Sequence, residues 1–279
     1  MLRLGGAARL LTGSDLAALR PLLDRDPVAH CFVASRVEAA GLDPWRLGAE
    51  LWGYGSPLEA ACFSGANLVP VGDVPAALAA FADRARRQGR RCSSIVGPAP
   101  AVDVLWERLE PHWGPAREVR PRQPLLATRC LPAVPADPAV RRVRPHELDV
   151  LMPACVAMFT EEVGTSPLGQ DSGAAYRARV RDLVAAGRAF ARIEDGEVLF
   201  KAELGAVSSR ACQVQGVWVH PAHRGRGLGT AGTAAVVTEA LRSVAPVVSL
   251  YVNDFNLPAR RAYDRVGLSS VGTFCSVLF

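Results

Sequence analysis

The chain has 279 residues, 49% of them apolar and 21% charged, which is enough to bury real cores and long enough for two domains. No stretch of about 18 apolar residues occurs, so a membrane span is not expected, and the opening MLRLGGAARLLTGSDL is soon broken by polar residues and lacks a signal-peptide pattern. The net charge of +5 comes from arginines spread along the chain, with Lys201 the only lysine and no basic block among aromatics, so nucleic acid is not an expected partner.

In chain order, helical patterns stand near Ser14–Leu23, Pro27–Ala40 and Val74–Arg87, with strand-like runs between Glu50 and Val71. The first half closes on SSIVGPAPAVDVLWERLEPHWGPAREVRPRQPLLAT, which reads as strand, proline loop, helix and strand. Leu131–Pro145 holds four prolines and reads as a boundary, giving a first domain over 1–130, a linker over 131–140 and a second domain over 141–279. The second half predicts a helix over His146–Phe159, a loop EEVGTSPLGQDSG and a helix over Ala174–Ala186. Two strands follow, joined by a turn at Asp195-Gly196. After them come a strand CQVQGVWV over 212–219, a helix over Leu228–Ser243, a strand over 245–252, a helix over 257–266 and a closing strand SVGTFCSVLF. The ends of the two halves share one order of elements, which suggests an internal duplication.

Seven scattered cysteines with no C-x-x-C pair argue against a disulfide framework or a structural zinc and for a reducing cytoplasm. His220 and His223 lie in a turn and read as structural or exposed, so no metal is expected. Between the strand at 212–219 and the helix at 228 stands VHPAHRGRGLGTAG. Glycine costs helix stability, so a helix start crowded with it needs a compensating reason. Open amides at a helix start, together with the helix dipole, bind anions. Gly225, Gly227 and Gly229 let phosphate approach the backbone, while Arg224 and Arg226 add charge. A P-loop would need Gly-Lys-Ser/Thr, which is absent. A dinucleotide pattern can be forced from Gly227, Gly229 and Gly232, but the preceding segment fits it poorly.

With Arg224-x-x-Gly227-x-Gly229 inside V-x-V-x-P-x-x-R-G-x-G-x-G, this stretch resembles the acyl-CoA signature of the GNAT superfamily of N-acetyltransferases. A second element of that family follows as Asn256-x-x-Ala259-x-x-x-Tyr263-x-x-x-Gly267-Leu268. The resemblance covers about residues 141–279, and the first half resembles the degenerate domain of tandem proteins of that family. It implies an α/β fold, a GNAT-like mixed sheet with splayed central strands flanked by helices and preceded by a second α/β domain. It also implies transfer of acetyl from acetyl-CoA, as co-substrate, to a primary amine of a small molecule or protein by direct attack in a ternary complex. Pantetheine would lie along Val217, Trp218 and Val219, with the Val217 N–H facing the thioester oxygen. Arg224, Gly225, Arg226, Gly227, Leu228, Gly229 and Thr230 would hold the diphosphate. Asn256 would bond the pantetheine arm or cap its helix, and Tyr263 would face the CoA sulfur as an acid or pack as a core aromatic.

Some family members carry a glutamate where Gln213 stands, and Gln213 cannot take a proton. Glu161, Glu162 and Glu203 are the other candidates for the base, and Glu161 and Glu162 could equally only start a loop. Cys212 and Cys275 leave a covalent acyl-enzyme open. A homodimer is left open, and the rival from another class is a non-catalytic acyl-CoA sensor or interaction module.

Overall fold

The computed structural model describes residues 6–169 and 173–279. The residues form one mixed sheet covered by helices on both faces. In the first half the strands are β1 (Arg9–Leu10), β2 (Glu50–Tyr54), β3 (Ala60–Ser64), β4 (Asn67–Val71), β5 (Ser94–Pro98) and β6 (Glu118–Thr128). In the second half they are β7 (Arg141–Arg142), β8 (Ala189–Glu194), β9 (Glu197–Val207), β10 (Cys212–Val219), β11 (Val248–Tyr251) and β12 (Ser269–Leu278). The helices are α1 (Leu16–Asp24), α2 (Cys31–Ala40), α3 (Pro44–Leu47), α4 (Pro75–Gln88) and α5 (Ala99–Trp113), then α6 (Leu148–Val163), α7 (Ala174–Ala185), α8 (Leu228–Ser243) and α9 (Leu257–Val266).

The strand order is β1-β2-β3-β4-β5-β12-β6-β11-β10-β9-β8-β7. Read from either edge it gives the same plan: four strands joined antiparallel, a fifth parallel to the fourth, and then the last strand of the other half. β12 pairs with β5, β6 pairs with β11, and the two exchanged strands pair with each other at the centre. The suggested duplication is thus present as a topological repeat whose halves trade their final strands.

Each half is a two-faced sandwich, because its strands carry apolar residues on both sides. Phe81, Leu105 and Leu109 of α4 and α5 pack on one face of the first half, and Leu19, Leu22 and Val33 of α1 and α2 on the other. In the second half Val236, Val237 and Val266 of α8 and α9 cover one face, and Leu151, Val180 and Val184 of α6 and α7 cover the other. A smaller cluster ties the halves together: Cys31 of α2 meets Ala206, Ala211 and Val247.

The second-half elements fall close to their expected places, with β10, α8 and α9 at the predicted residues. One difference bears on the site. α6 continues past Phe159 to Val163 and ends on Gly164, whose positive φ of 77° suits glycine, so Glu161 and Glu162 lie in a helical turn rather than at a loop start. The loop expected over 161–173 includes residues 170–172, which lie outside the described residues. Among the described residues no helix is long and apolar enough to cross a membrane.

Candidate functional site

The central strands part because their pairing stops early. β10 and β11 are in register only at Cys212–Val248 and Gln213–Ser249, after which β10 continues to Val219 paired with β9 but no longer with β11. A bulge follows where the strands have parted. On β9 one residue lies between Lys201 and Glu203, while on β10 two residues, Gly216 and Val217, lie between their partners Gln215 and Trp218. An extra residue bends a strand and leaves its own backbone outside the ladder. Gly216 takes φ +59°, a conformation in which a side chain is strained. The space there is also tight: a Cβ would stand 3.0 Å from Lys201 Nζ and 3.1 Å from Met158 Cε.

The resulting cleft has a volume of about 970 Å³ and is walled by β10, β11, α6, α7, α8 and α9. Val217, Trp218, Val219, Arg224, Gly225, Gly227, Leu228, Gly229, Thr230, Asn256, Tyr263, Glu161, Glu162 and Glu203 all line it. Arg226 is exposed and is not among the lining residues. Gln213 is buried and likewise absent from the wall, while Gln215, two residues along, lines it and donates to Glu203 Oε1 at 3.0 Å.

At the helix start, Gly227 is the N-cap of α8 with φ +85°, and no side chain caps the helix there. The first amides of α8 therefore face the cleft without a side-chain acceptor, which is the arrangement an anion needs. Arg224 stands beside them. Its Nε donates to Val219 O at 3.0 Å and its guanidinium pairs with Glu161 Oε2 at 2.8 Å. Glu161 also accepts from Trp218 Nε1 at 3.1 Å. Asn256 does cap α9, its Oδ1 accepting from the Ala259 amide at 3.2 Å, and it lines the cleft as well.

Tyr263 is both a core residue and a wall residue. It is only 7% exposed, and its hydroxyl has no hydrogen-bond partner among the described residues. Burial, followed by the nearby Glu162 charge, pushes its phenol well above the usual tyrosine value. The three glutamates are each held. Glu162 Oε1 takes Arg120 at 2.8 Å and Asn253 Nδ2 at 3.2 Å. Asn253 in turn accepts from Gln123, and Ser276 donates to Gln123 at 2.6 Å. Glu203 meets Lys201 Nζ at 3.3 Å. Burial alone would raise the Glu203 carboxyl, but the Lys201 and Arg179 charges and the bond from Gln215 overcome it and hold it below the usual carboxylate range.

Two of the cysteines are inert by the same physics. Burial pushes Cys212 and Cys275 up to about 12, so neither is a thiolate at neutral pH. Among the described residues no three His, Cys, Asp or Glu side chains converge as a metal site would require. Sequence reasoning missed Gln123, which lines the cleft, and Arg120, which holds Glu162; both are in place only because β6 is exchanged into the second half. It also missed Arg179, Gln215 and the pairing of Lys201 with Glu203; the solitary lysine, placed inside a strand, was the available signal for the last.

Comparisons with known proteins agree with this geometry. Residues 158–268 match the acetyltransferase (GNAT) family, and residues 49–151 match a domain of unknown function. No curated protein matches the chain. Among solved structures, a GNAT-family acetyltransferase from Colwellia psychrerythraea aligns over 98% of this chain and 100% of its own, with TM-score 0.57 and 12% identity. A Drosophila protein aligns over 98% of both chains with TM-score 0.64 and 13% identity. A tandem GNAT protein from the clavulanic acid biosynthesis pathway aligns over 97% of this chain and 98% of its own, with TM-score 0.52 and 15% identity. At such identities the likeness is one of fold, and it extends over both halves.

Proposed function

We propose, for a chain whose residues 158–268 form a domain of the GNAT acetyltransferase family, that it transfers acetyl from acetyl-CoA to a primary amine by direct attack. The observation that carries this reading is the cleft between β10 and β11, which leads straight to the uncapped start of α8. Pantetheine would run along Val217 to Val219 in place of a missing strand, and the diphosphate would sit on the amides from Gly227 to Thr230. Arg224 would turn to the diphosphate, giving up Glu161.

In the reaction a neutral amine nitrogen attacks the acetyl carbonyl, with the Val217 N–H facing the developing oxyanion. The C–N bond forms, the C–S bond breaks, and the electron pair leaves on sulfur. Glu162, whose charge reaches Tyr263, takes the amine proton directly or through water. The raised phenol of Tyr263 stays protonated at neutral pH. Full transfer of its proton to a thiolate, with an ordinary thiol value of about 8.5, is uphill. The hydroxyl therefore acts as a hydrogen-bond donor to the leaving sulfur, and solvent completes the protonation. Burial of Cys212 and Cys275 as neutral thiols favours direct attack over an acyl-enzyme. The seven free cysteines suit a reducing cytoplasm.

The test is calorimetric binding of acetyl-CoA together with thiol release over an amine panel. Gly227→Val would force a β-branched residue to φ +85° at the phosphate turn, and we expect CoA affinity to fall at least about tenfold with the fold retained. An unchanged affinity would remove the diphosphate from this turn. One observation favours the sensor reading: Glu161, Glu162 and Glu203 are each paired with a cation. Tight CoA binding without thiol release from any amine would decide for it.

A further inference from the structure

We propose that the acceptor amine carries a carboxylate, and that Arg179 is the residue that binds it. This rests on the acetyl-transfer reading above and names the substrate class of that same cleft.

The three carboxylates of the cleft wall are each paired with a cation. Glu161 pairs with Arg224 at 2.8 Å, Glu162 with Arg120 at 2.8 Å and Glu203 with Lys201 at 3.3 Å. Arg179, on α7, also lines the cleft, and its side chain is 59% exposed. Its ion-pair partner is Glu203 at 3.9 Å, a carboxylate already engaged by Lys201 and by Gln215 at 3.0 Å. Of the arginines that line the cleft, Arg224 is paired with Glu161, Arg261 and Arg265 lie on α9, and Arg179 is the one on α7, where its carboxylate neighbour is already held by Lys201 and Gln215.

Arg36 of α2 and Arg188, just before β8, extend the positive region. Burial first, and then the like charges of Arg179 and Arg188, lower Arg36 from its ordinary value. Neither Arg36 nor Arg188 forms an ion pair among the described residues; Arg36 instead lies over the Phe32 ring. A cluster of like charges concentrates the opposite ion, and a guanidinium takes a carboxylate in a two-point bond. A doubly charged phosphate suits the place less, because Glu203 lies 3.9 Å from the same guanidinium and would repel it.

The remaining wall near Arg179 is apolar, made by Met158, Phe159, Tyr176, Val180 and Leu183. The Phe159 and Tyr176 rings stand edge to face at 5.4 Å, and Tyr176 is fixed by a 2.9 Å bond to the Cys155 carbonyl. An amine, a carboxylate and an apolar group together describe an apolar amino acid. A lysine side chain on a protein surface brings the amine without the carboxylate.

The experiment compares phenylalanine with phenylalaninamide, and leucine with leucinamide, as acceptors in acetyl-CoA thiol release. In parallel, N-acetylphenylalanine and its amide are titrated calorimetrically into the protein with and without saturating CoA. We expect the acid to exceed the amide by about tenfold or more in both measurements, as for a charge-assisted hydrogen bond. Arg179→Ala should bring that ratio near one, and Arg179→Lys should keep part of it; alanine at this exposed helical site is compatible with folding. Equal handling of acid and amide, failure of the acid to bind the CoA-loaded protein, or a ratio that survives in Arg179→Ala would overturn the proposal. Acid binding that depends on Arg179, with no thiol release from any amine, would leave the carboxylate site standing and count against acetyl transfer instead.

Discussion

Tyr263 and Gly216 show how single residues serve fold and site together. The Tyr263 ring packs with Val266 and Leu268 while its hydroxyl has no internal partner. Tyr263→Phe therefore removes a donor without leaving a broken hydrogen bond behind. Its effect on stability should stay within about 0.5 kcal/mol, while the rate of thiol release should drop by about tenfold to a hundredfold with CoA affinity retained. A stability loss without a rate loss would make Tyr263 a core residue only. Gly216→Val is expected to act on both. A β-branched residue at φ +59° costs about 1–3 kcal/mol of strain, and its Cβ would press on Lys201 and Met158. Chemical denaturation should report the first cost, and loss of acetyl-CoA binding should report the closing of the bulge.

Among elements, the exchanged strands decide what can stand alone. Removing residues 1–130 would take away β6, which fills the place between β11 and β12. The second half would then expose an unpaired edge at β11 and lose both partners of β12. Bare strand edges recruit other chains. A chain of residues 131–279 expressed alone should aggregate or lack a cooperative unfolding transition. A well-folded monomer of that fragment would show that β12 can move to β11 without help. The same exchange links the first half to the cleft, since Arg120 and Gln123 on β6 hold its wall residues Glu162 and Asn253 in place.

For the whole molecule, the buried thiols set an alkaline limit. Cys31, Cys212 and Cys275 are pushed up to about 12 by burial, from an ordinary value of 9.0. A folded-state value above the unfolded one means stability is full below pH 9 and is lost as pH rises toward 12. Cys31 lies in the cluster that joins the halves, bonded to the Ala211 carbonyl at 3.3 Å, so the loss falls on their junction. The urea midpoint should decline between pH 9 and 11, and Cys212→Ala should flatten that decline. A midpoint constant over this range would mean that the thiols are reached by water in the folded state.

The glycine-rich turn after CQVQGVWV, the helix behind it and the Asn256–Tyr263 segment could be read directly from sequence, because turn geometry and capping act over a few neighbouring residues. Even the repeat showed, as a shared order of elements at the ends of the two halves. Residues whose meaning depends on distant partners could not be read in this way. Arg224 bonds Glu161 across 63 positions, and Gln123 meets Asn253 across 130. Gln213 drew attention by its place on the strand, but it is buried away from the wall, and Gln215 lines the cleft instead. The sequence by itself therefore determined the local elements and the glycine-rich turn with its open amides, since both arise from short-range backbone sterics. Only the tertiary structure decided which strand fills the centre of the sheet and which cation neutralises each carboxylate of the cleft. Those choices are set by long-range packing and by charges brought together through space.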